Sequence, residues 1–218
     1  MIAKSTLDFL GALRKNNNRE WFQKNRDRYD AAKENMEEFV EALIAELGKA
    51  DKSLKGLRPK DCLFRIYRDV RFSKNKSPYK SNFGAVISAG GRKTDQAGFY
   101  IQVEPGNAFI AGGRWMPSPE HLKEIRQEIL YNSAAFKKVL GAKDFKKNFK
   151  SLHDSRLKLA PKGFDKDFKD IELLKYTSYI VDTPVPDKVL LSKNAFAHCR
   201  KVQAAMMPLL KFLNKATG

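Results

Sequence analysis

The sequence predicts an α+β fold in a single domain, 1–218, in which an antiparallel sheet of about four to six strands is flanked by N- and C-terminal helices. Apolar residues follow the helical period before residue 50, strand-like runs separated by turns occupy 83–111, and helical spacing returns after residue 192. Because the chain shows no fixed-period repeat and no compelling linker, we expect one domain.

Two helices are predicted at the N-terminus. Ser5 or Thr6 can cap a short helix that ends near Asn16. From 18 to about 49 the apolar residues follow the period of a long helix, kinked near Asn25. Its polar face carries Glu34, Glu37, Glu38 and Glu41. Such a row is more typical of a solvated helix face than of a metal site.

The middle of the chain has the pattern of an antiparallel meander. Strand-like runs occupy 62–67, 83–88, 98–104 and 108–111. Pro105-Gly106-Asn107 supplies a turn between the last two runs. We therefore expect consecutive strands to pair with each other.

Helices return in the second half. Ser118 and Pro119 open a helix that continues to about Leu130, and 133–150 reads as one or two short helices with a basic face. Residues 179–183 form one more predicted strand. Ser192 then caps a final helix that Pro208 interrupts.

The formal net charge of +17 is concentrated in one part of the chain. The first fifty residues hold nine basic and nine acidic side chains, whereas residues 51–100 hold twelve basic and four acidic ones. A net charge of this size indicates which partners the protein can attract and gives no information about its fold. It predicts an anionic partner, either a small molecule or a nucleic acid.

Other features bear on location and chemistry. No apolar run approaches the length that spans a bilayer, and the N-terminus lacks the core of a signal peptide, so we expect no membrane partner. The spacing of Cys62 and Cys199 predicts reduced thiols in a cytoplasmic protein. None of the three histidines lies in a zinc motif, so no metal is expected. The cofactor, if any, stays open.

The least ordinary segment is 63–80, which carries six cations interleaved with aromatic residues. Arginine forks suit phosphate or carboxylate, and lysines add point charges. The candidate ligand-binding residues are Arg65, Tyr67, Arg68, Arg71, Lys74, Lys76, Tyr79 and Lys80. Asp69 is a weak catalytic candidate, because it can orient one guanidinium group or serve as a base.

Two stretches resemble the DUF2461 family, also catalogued as the TIGR02453 proteins: FRIYRDVRFSKNKSPYKSNFGAVIS and GFYIQVEPGNAFIAGGRWMPSPEHLKEIR. This is a bacterial and fungal group without an assigned activity, so the resemblance implies a single domain and lends no chemistry. Asn75 departs from the family pattern, in which an acidic residue is common there. Arg114 stands where an uncharged residue is frequent, and would add a cation if the sheet brings it close to 65–80.

Three functions remain open at this stage. The first is binding of a phosphate- or carboxylate-bearing small molecule at the basic segment 65–80. The second is nucleic-acid binding without sequence specificity, for which a pI near 9.8 is a usual footprint. The third is a structural or adaptor domain in which the arginines pair with the acidic face of the long helix. Catalysis is left undecided, because no nucleophile or base is visible beyond Asp69.

Overall fold

A computed structural model describes all 218 residues and confirms the α+β class, with helices flanking a four-stranded antiparallel sheet in the order β1-β2-β3-β4. The strands are β1 (Phe83–Ile87), β2 (Gly98–Val103), β3 (Phe109–Arg114) and β4 (Tyr179–Pro184). The helices are α1 (Lys4–Lys15), α2 (Arg19–Lys24), α3 (Arg26–Leu47), α4 (Pro59–Cys62), α5 (Pro119–Tyr131), α6 (Ser133–Gly141), α7 (Lys143–Asn148), α8 (Ile171–Leu174), α9 (Asp187–Leu190) and α10 (Ala195–Ala216).

The chain divides into two compact units, each assembled from three segments. Unit 1 comprises 1–94, 100–110 and 184–201, and unit 2 comprises 95–99, 111–183 and 202–218. Strands β2 and β3 contribute residues to both units. A single domain over 1–218 therefore stays a prediction.

The N-terminal helices follow the apolar period, but their ends differ from those expected. Neither Ser5 nor Thr6 caps α1, because the helix already begins at Lys4 and the buried Thr6 hydroxyl instead donates to Asn35 Oδ1 at 2.8 Å. The kink expected near Asn25 is a break between α2 and α3. Asn18 caps α2, since its side chain accepts from the Trp21 N–H at 2.9 Å.

The strand expected over 62–67 is wrong. Pro59 at the first turn starts α4, which takes the segment as far as Cys62, and the rest makes only isolated bridges, Leu63 with Ala85 and Tyr67 with Tyr79. Side chains along 62–67 do alternate as in a strand, but each segment beside 62–67 pairs with it at one residue only. This segment leaves the sheet and leads into the basic loop described below.

Unit 2 has its own apolar core, centred on Tyr179, Ile125, Ile129, Phe136 and Leu213. Gly113 has a φ of +125°, and a Cβ there would collide with the Tyr179 carbonyl, so only glycine permits this approach of β3 to β4. Pro208 does not interrupt α10, which runs continuously through it.

None of the helices is both long and apolar enough to cross a membrane.

Candidate anion-binding site

The basic segment forms a closed loop in unit 1, and we call residues 65–80 the basic loop. Tyr67 and Tyr79 pair as an antiparallel bridge at its base. On either side of that pair, the Arg68 N–H donates to the Pro78 carbonyl at 2.9 Å and the Lys80 N–H to the Ile66 carbonyl at 2.8 Å. The two ends of the basic loop are thus fixed to each other.

An asparagine from the α1–α2 connection anchors this base. The Asn17 side chain donates to the Tyr79 carbonyl at 3.0 Å and accepts from the Tyr79 N–H at 3.1 Å, so its amide satisfies both backbone groups. The buried Tyr79 ring stacks on Phe22, with ring centroids 4.0 Å apart. The base of the basic loop is therefore packed against α2 through the rings of Tyr67, Tyr79 and Phe22.

Two of its cations brace the loop by bonding across it. Arg68 donates from Nη1 to the Ser77 carbonyl at 3.1 Å and from Nη2 to Ser73 Oγ at 3.3 Å. Lys76 Nζ donates to the Val70 carbonyl at 3.0 Å. All these acceptors are uncharged, so the contacts hold the loop in shape and leave its positive charge in place.

Asp69 pairs with Arg71 and is its orienting partner. Its carboxylate accepts from Arg71 Nε at 3.0 Å, from Nη2 at 2.7 Å and from the Arg71 N–H at 3.2 Å. These hydrogen bonds hold the pKa of Asp69 below its usual range. A carboxylate with a lowered pKa is a weak base, so the geometry favours orientation over proton transfer.

Three cations in or beside the basic loop form neither an ion pair nor a side-chain hydrogen bond: Arg65, Lys74 and Lys80. Lys80 Nζ instead lies 5.3 Å from the centroid of the Phe64 ring. Burial lowers the pKa of Lys80, and the nearby charge of Arg65 lowers it further. Arg65 and Lys80 are thus a like-charged pair in which neither cation forms an ion pair with a carboxylate.

Two arginines that the sequence analysis missed also face this region. Burial raises the pKa of Tyr79, and the charges of Arg19 and Arg26 oppose that rise, so both lie within electrostatic reach of its hydroxyl. Arg26 pairs with Asp30 at 3.0 Å, whereas Arg19 makes no ion pair. In the sequence the two arginines lie on either side of Trp21-Phe22. Because the first fifty residues hold equal numbers of basic and acidic side chains, the summed charge of that segment did not indicate a basic site there.

The remaining predicted site residues lie at the exposed side of the loop. Tyr67 is 43% exposed and packs against both Phe22 and Tyr79, while its hydroxyl makes no hydrogen bond to another residue. Arg71 and Lys74 are exposed. The structure therefore gathers all eight candidates on one loop and its base, but it divides them into bracing residues and accessible ones.

Asn75 and Arg114, the two residues that depart from the family pattern, have different environments in the structure. Asn75 Oδ1 accepts from the Ser77 N–H at 2.9 Å, a turn contact that a carboxylate would also make. Arg114 belongs to unit 2, where it is 4% exposed and its Nη2 lies 2.7 Å from His121 Nδ1. It is a buried arginine and not an accessible one.

Ion pairs between the basic loop and the acidic face of α3 are not found. The only ion pair of the loop is Arg71 with Asp69, and on that face Glu37 pairs with Lys33 at 3.3 Å. The two thiols are also poorly suited to nucleophilic chemistry, because burial raises the pKa of Cys62 to about 11 and that of Cys199 to about 12. No group of three or more metal-ligating side chains is present.

Comparison with known proteins gives one match. A family model described as "Conserved hypothetical protein (DUF2461)" matches residues 5–212. No curated protein and no solved structure matches the chain.

Proposed function

The chain belongs to the DUF2461 family, whose description names no activity, and from the geometry of the basic loop we propose that it binds a phosphate- or carboxylate-bearing small molecule there. The observation that carries the proposal is the pair of Arg65 and Lys80, two cations that repel each other and of which neither forms an ion pair or a side-chain hydrogen bond within the protein. Placing two cations together is unfavourable in the free protein, and a bound anion relieves the repulsion.

The candidate residues fall into two groups, those that contact the anion and those that hold the loop in shape. Arg65, Lys74 and Lys80 contact the anion, since they have neither an ion pair nor a side-chain hydrogen bond, and the free Tyr67 hydroxyl donates to it. Arg71 joins them, held in orientation by Asp69. Arg68 and Lys76 act through the loop backbone, which they brace. The proposal is limited to binding, because a nucleophile or a base of suitable pKa is missing from this set.

Nucleic-acid binding is a second candidate, favoured by a separate observation. The cations Arg65, Arg71 and Lys74 are exposed along the loop, and the neighbouring Phe72 is 96% exposed. An exposed row of cations suits the repeated phosphates of a polymer, and the chain's net charge of +17 adds long-range attraction.

Isothermal titration at constant ionic strength tests the first candidate. The ligands are inorganic phosphate, a nucleoside monophosphate, a sugar phosphate and a tricarboxylate, each titrated into the wild type, Arg65→Gln and Lys211→Gln. Lys211 is an exposed, unpaired lysine of unit 2, so its variant loses the same charge elsewhere. We expect saturable binding that Arg65→Gln weakens about tenfold and Lys211→Gln leaves unchanged. Equal weakening by the two variants, or no binding by any compound, would contradict the proposal.

A further inference from the structure

Phe72 occupies the apex of the basic loop and contributes nothing to the core. The Ser73 N–H donates to the Val70 carbonyl at 3.3 Å, so Arg71 and Phe72 are the two central residues of a turn. The ring is 96% exposed, and the Arg71 guanidinium lies 5.8 Å from the ring centroid. A single exposed apolar side chain is ordinary on a protein surface. Phe72 differs from such residues because hydrogen bonds brace the turn that carries it and because cations flank it in the loop.

The segment below Phe72 is held in place. Arg68 ties the loop across to Ser73 and Ser77, and Lys76 Nζ binds the Val70 carbonyl at the start of the turn. The loop base is in turn fixed to Asn17 and Phe22. A ring displayed on a braced turn loses less conformational freedom on binding than one on a free loop.

The charges around Phe72 select the chemistry of its partner. Arg71 precedes the ring, Lys74 and Lys76 follow it, and Asp69 is the only carboxylate in the loop. A flat apolar ring among cations matches a ligand that alternates flat aromatic groups with phosphates. Single-stranded nucleic acid has this composition, and its unpaired bases expose the faces that a duplex keeps stacked.

We propose that the basic loop binds single-stranded nucleic acid, with Phe72 stacked on one base and the flanking cations on the adjacent phosphates. This inference rests on the proposed binding of phosphate groups by the loop, and of the two candidate functions it deepens the second, because it specifies a single strand and a stacking residue. Stacking on a base tolerates any sequence, because every base offers a flat face.

Fluorescence anisotropy with labelled oligonucleotides tests the stacking. The probes are a twelve-residue oligothymidine, an abasic strand of the same length and charge, and a duplex of equal length, all at one low ionic strength. The proteins are wild type, Phe72→Ala, Phe72→Leu and the control Tyr131→Ala, which removes a ring that is 78% exposed on α5 of unit 2. Because Phe72 is exposed, neither variant at this position is expected to lower the melting temperature.

For the wild type we expect tighter binding of oligothymidine than of the abasic strand or the duplex. Phe72→Ala and Phe72→Leu should each weaken the oligothymidine complex about tenfold and leave the abasic complex unchanged, whereas Tyr131→Ala should change neither. Full binding by Phe72→Leu would show that apolar volume is sufficient, and would overturn stacking.

The failures of the two proposals are distinguishable. If phosphate compounds bind and depend on Arg65, but oligothymidine and the abasic strand bind equally, the stacking inference is overturned and the phosphate site stands. If vesicles of anionic phospholipid bind through Phe72 and the oligonucleotides do not discriminate, the ring is a membrane anchor and the inference is again wrong. If no phosphate compound and no strand binds, both proposals fall.

Discussion

The basic loop of unit 1 and the buried arginines of unit 2 show two different uses of the same side chain. In unit 2, Arg126 is 9% exposed and donates from Nε to the Leu174 carbonyl at 2.7 Å and from Nη2 to the Tyr176 carbonyl at 3.0 Å. Burial lowers the pKa of Arg126 and that of Arg114. In the basic loop, by contrast, Arg65 and Arg71 remain exposed to solvent.

This difference separates structural cations from those available to a ligand. A buried guanidinium group is costly unless its N–H groups are satisfied, so Arg126 is committed to the backbone around α8. The Arg65 side chain makes no hydrogen bond to the protein, and because it is exposed it keeps most of its hydration in the free protein. Arg68 is intermediate, since it braces the loop through a carbonyl and a hydroxyl while keeping its charge. The contrast predicts which arginines unfold the protein when replaced and which only weaken binding.

The largest effect is expected from Arg126→Met. Methionine fills much of the volume but cannot donate, so the Leu174 and Tyr176 carbonyls lose their partner. We expect the free energy of unfolding to fall by about 3 kcal/mol in urea denaturation. The same variant should bind anions at the basic loop with wild-type affinity under conditions where it is folded. Unchanged stability would remove the distinction between the two kinds of arginine.

Asn17→Ala tests whether the loop base needs its anchor. The substitution deletes both hydrogen bonds to the Tyr79 backbone, at about 1 kcal/mol each, so we expect a loss of about 2 kcal/mol. Hydrogen exchange should accelerate most at the Tyr79 amide, which loses its acceptor, and next at the amides of Arg68 and Lys80, which close the loop. Asn16→Ala is the control, because the Asn16 side chain bonds only to the Ala12 carbonyl at the end of its own helix. Equal acceleration in the two variants would contradict the anchoring role.

The fold was more accessible to sequence reasoning than the site, and particular residues show why. Apolar periodicity is a local signal repeated over many residues, so α3, α10 and the strands at 83–87 and 98–103 were all found. The strand expected at 62–67 failed because pairing depends on a partner, and only Leu63 and Tyr67 have one. Local alternation says nothing about such partners.

For the site, composition located the loop but did not assign the roles within it. Arg68 and Arg71 look equivalent in sequence, yet one bonds across the loop and the other pairs with Asp69. Arg19 and Arg26 escaped notice because charge was summed over a segment that is neutral as a whole. Which cations share a face is set by the chain fold and cannot be read from net charge.

Lys80→Met distinguishes a cation held for binding from one held for stability. Burial and the charge of Arg65 both disfavour the ammonium group, so removing it should slightly raise the free energy of unfolding. The same change should weaken phosphate binding, measured by titration calorimetry. A variant that is less stable than the wild type would show that the Lys80 contact with Phe64 stabilises the fold, and would contradict the argument from repulsion.

The smallest effect, and the sharpest test of local geometry, concerns the protonation of Asp69. Hydrogen bonds from Arg71, and then the charge of Arg65, lower the pKa of its carboxyl group in the folded state. The stabilisation is therefore complete above the unfolded value of about 3.9 and is lost as the pH falls through the lower folded pKa. Carbon-detected NMR titration should place the Asp69 midpoint below that value in the wild type. In Arg71→Gln the midpoint should rise toward it, while Asp61, whose pKa Arg58 lowers, should not move. An unshifted Asp69 in the wild type would mean that its pair with Arg71 does not persist in solution, and that Asp69 does not orient the arginine.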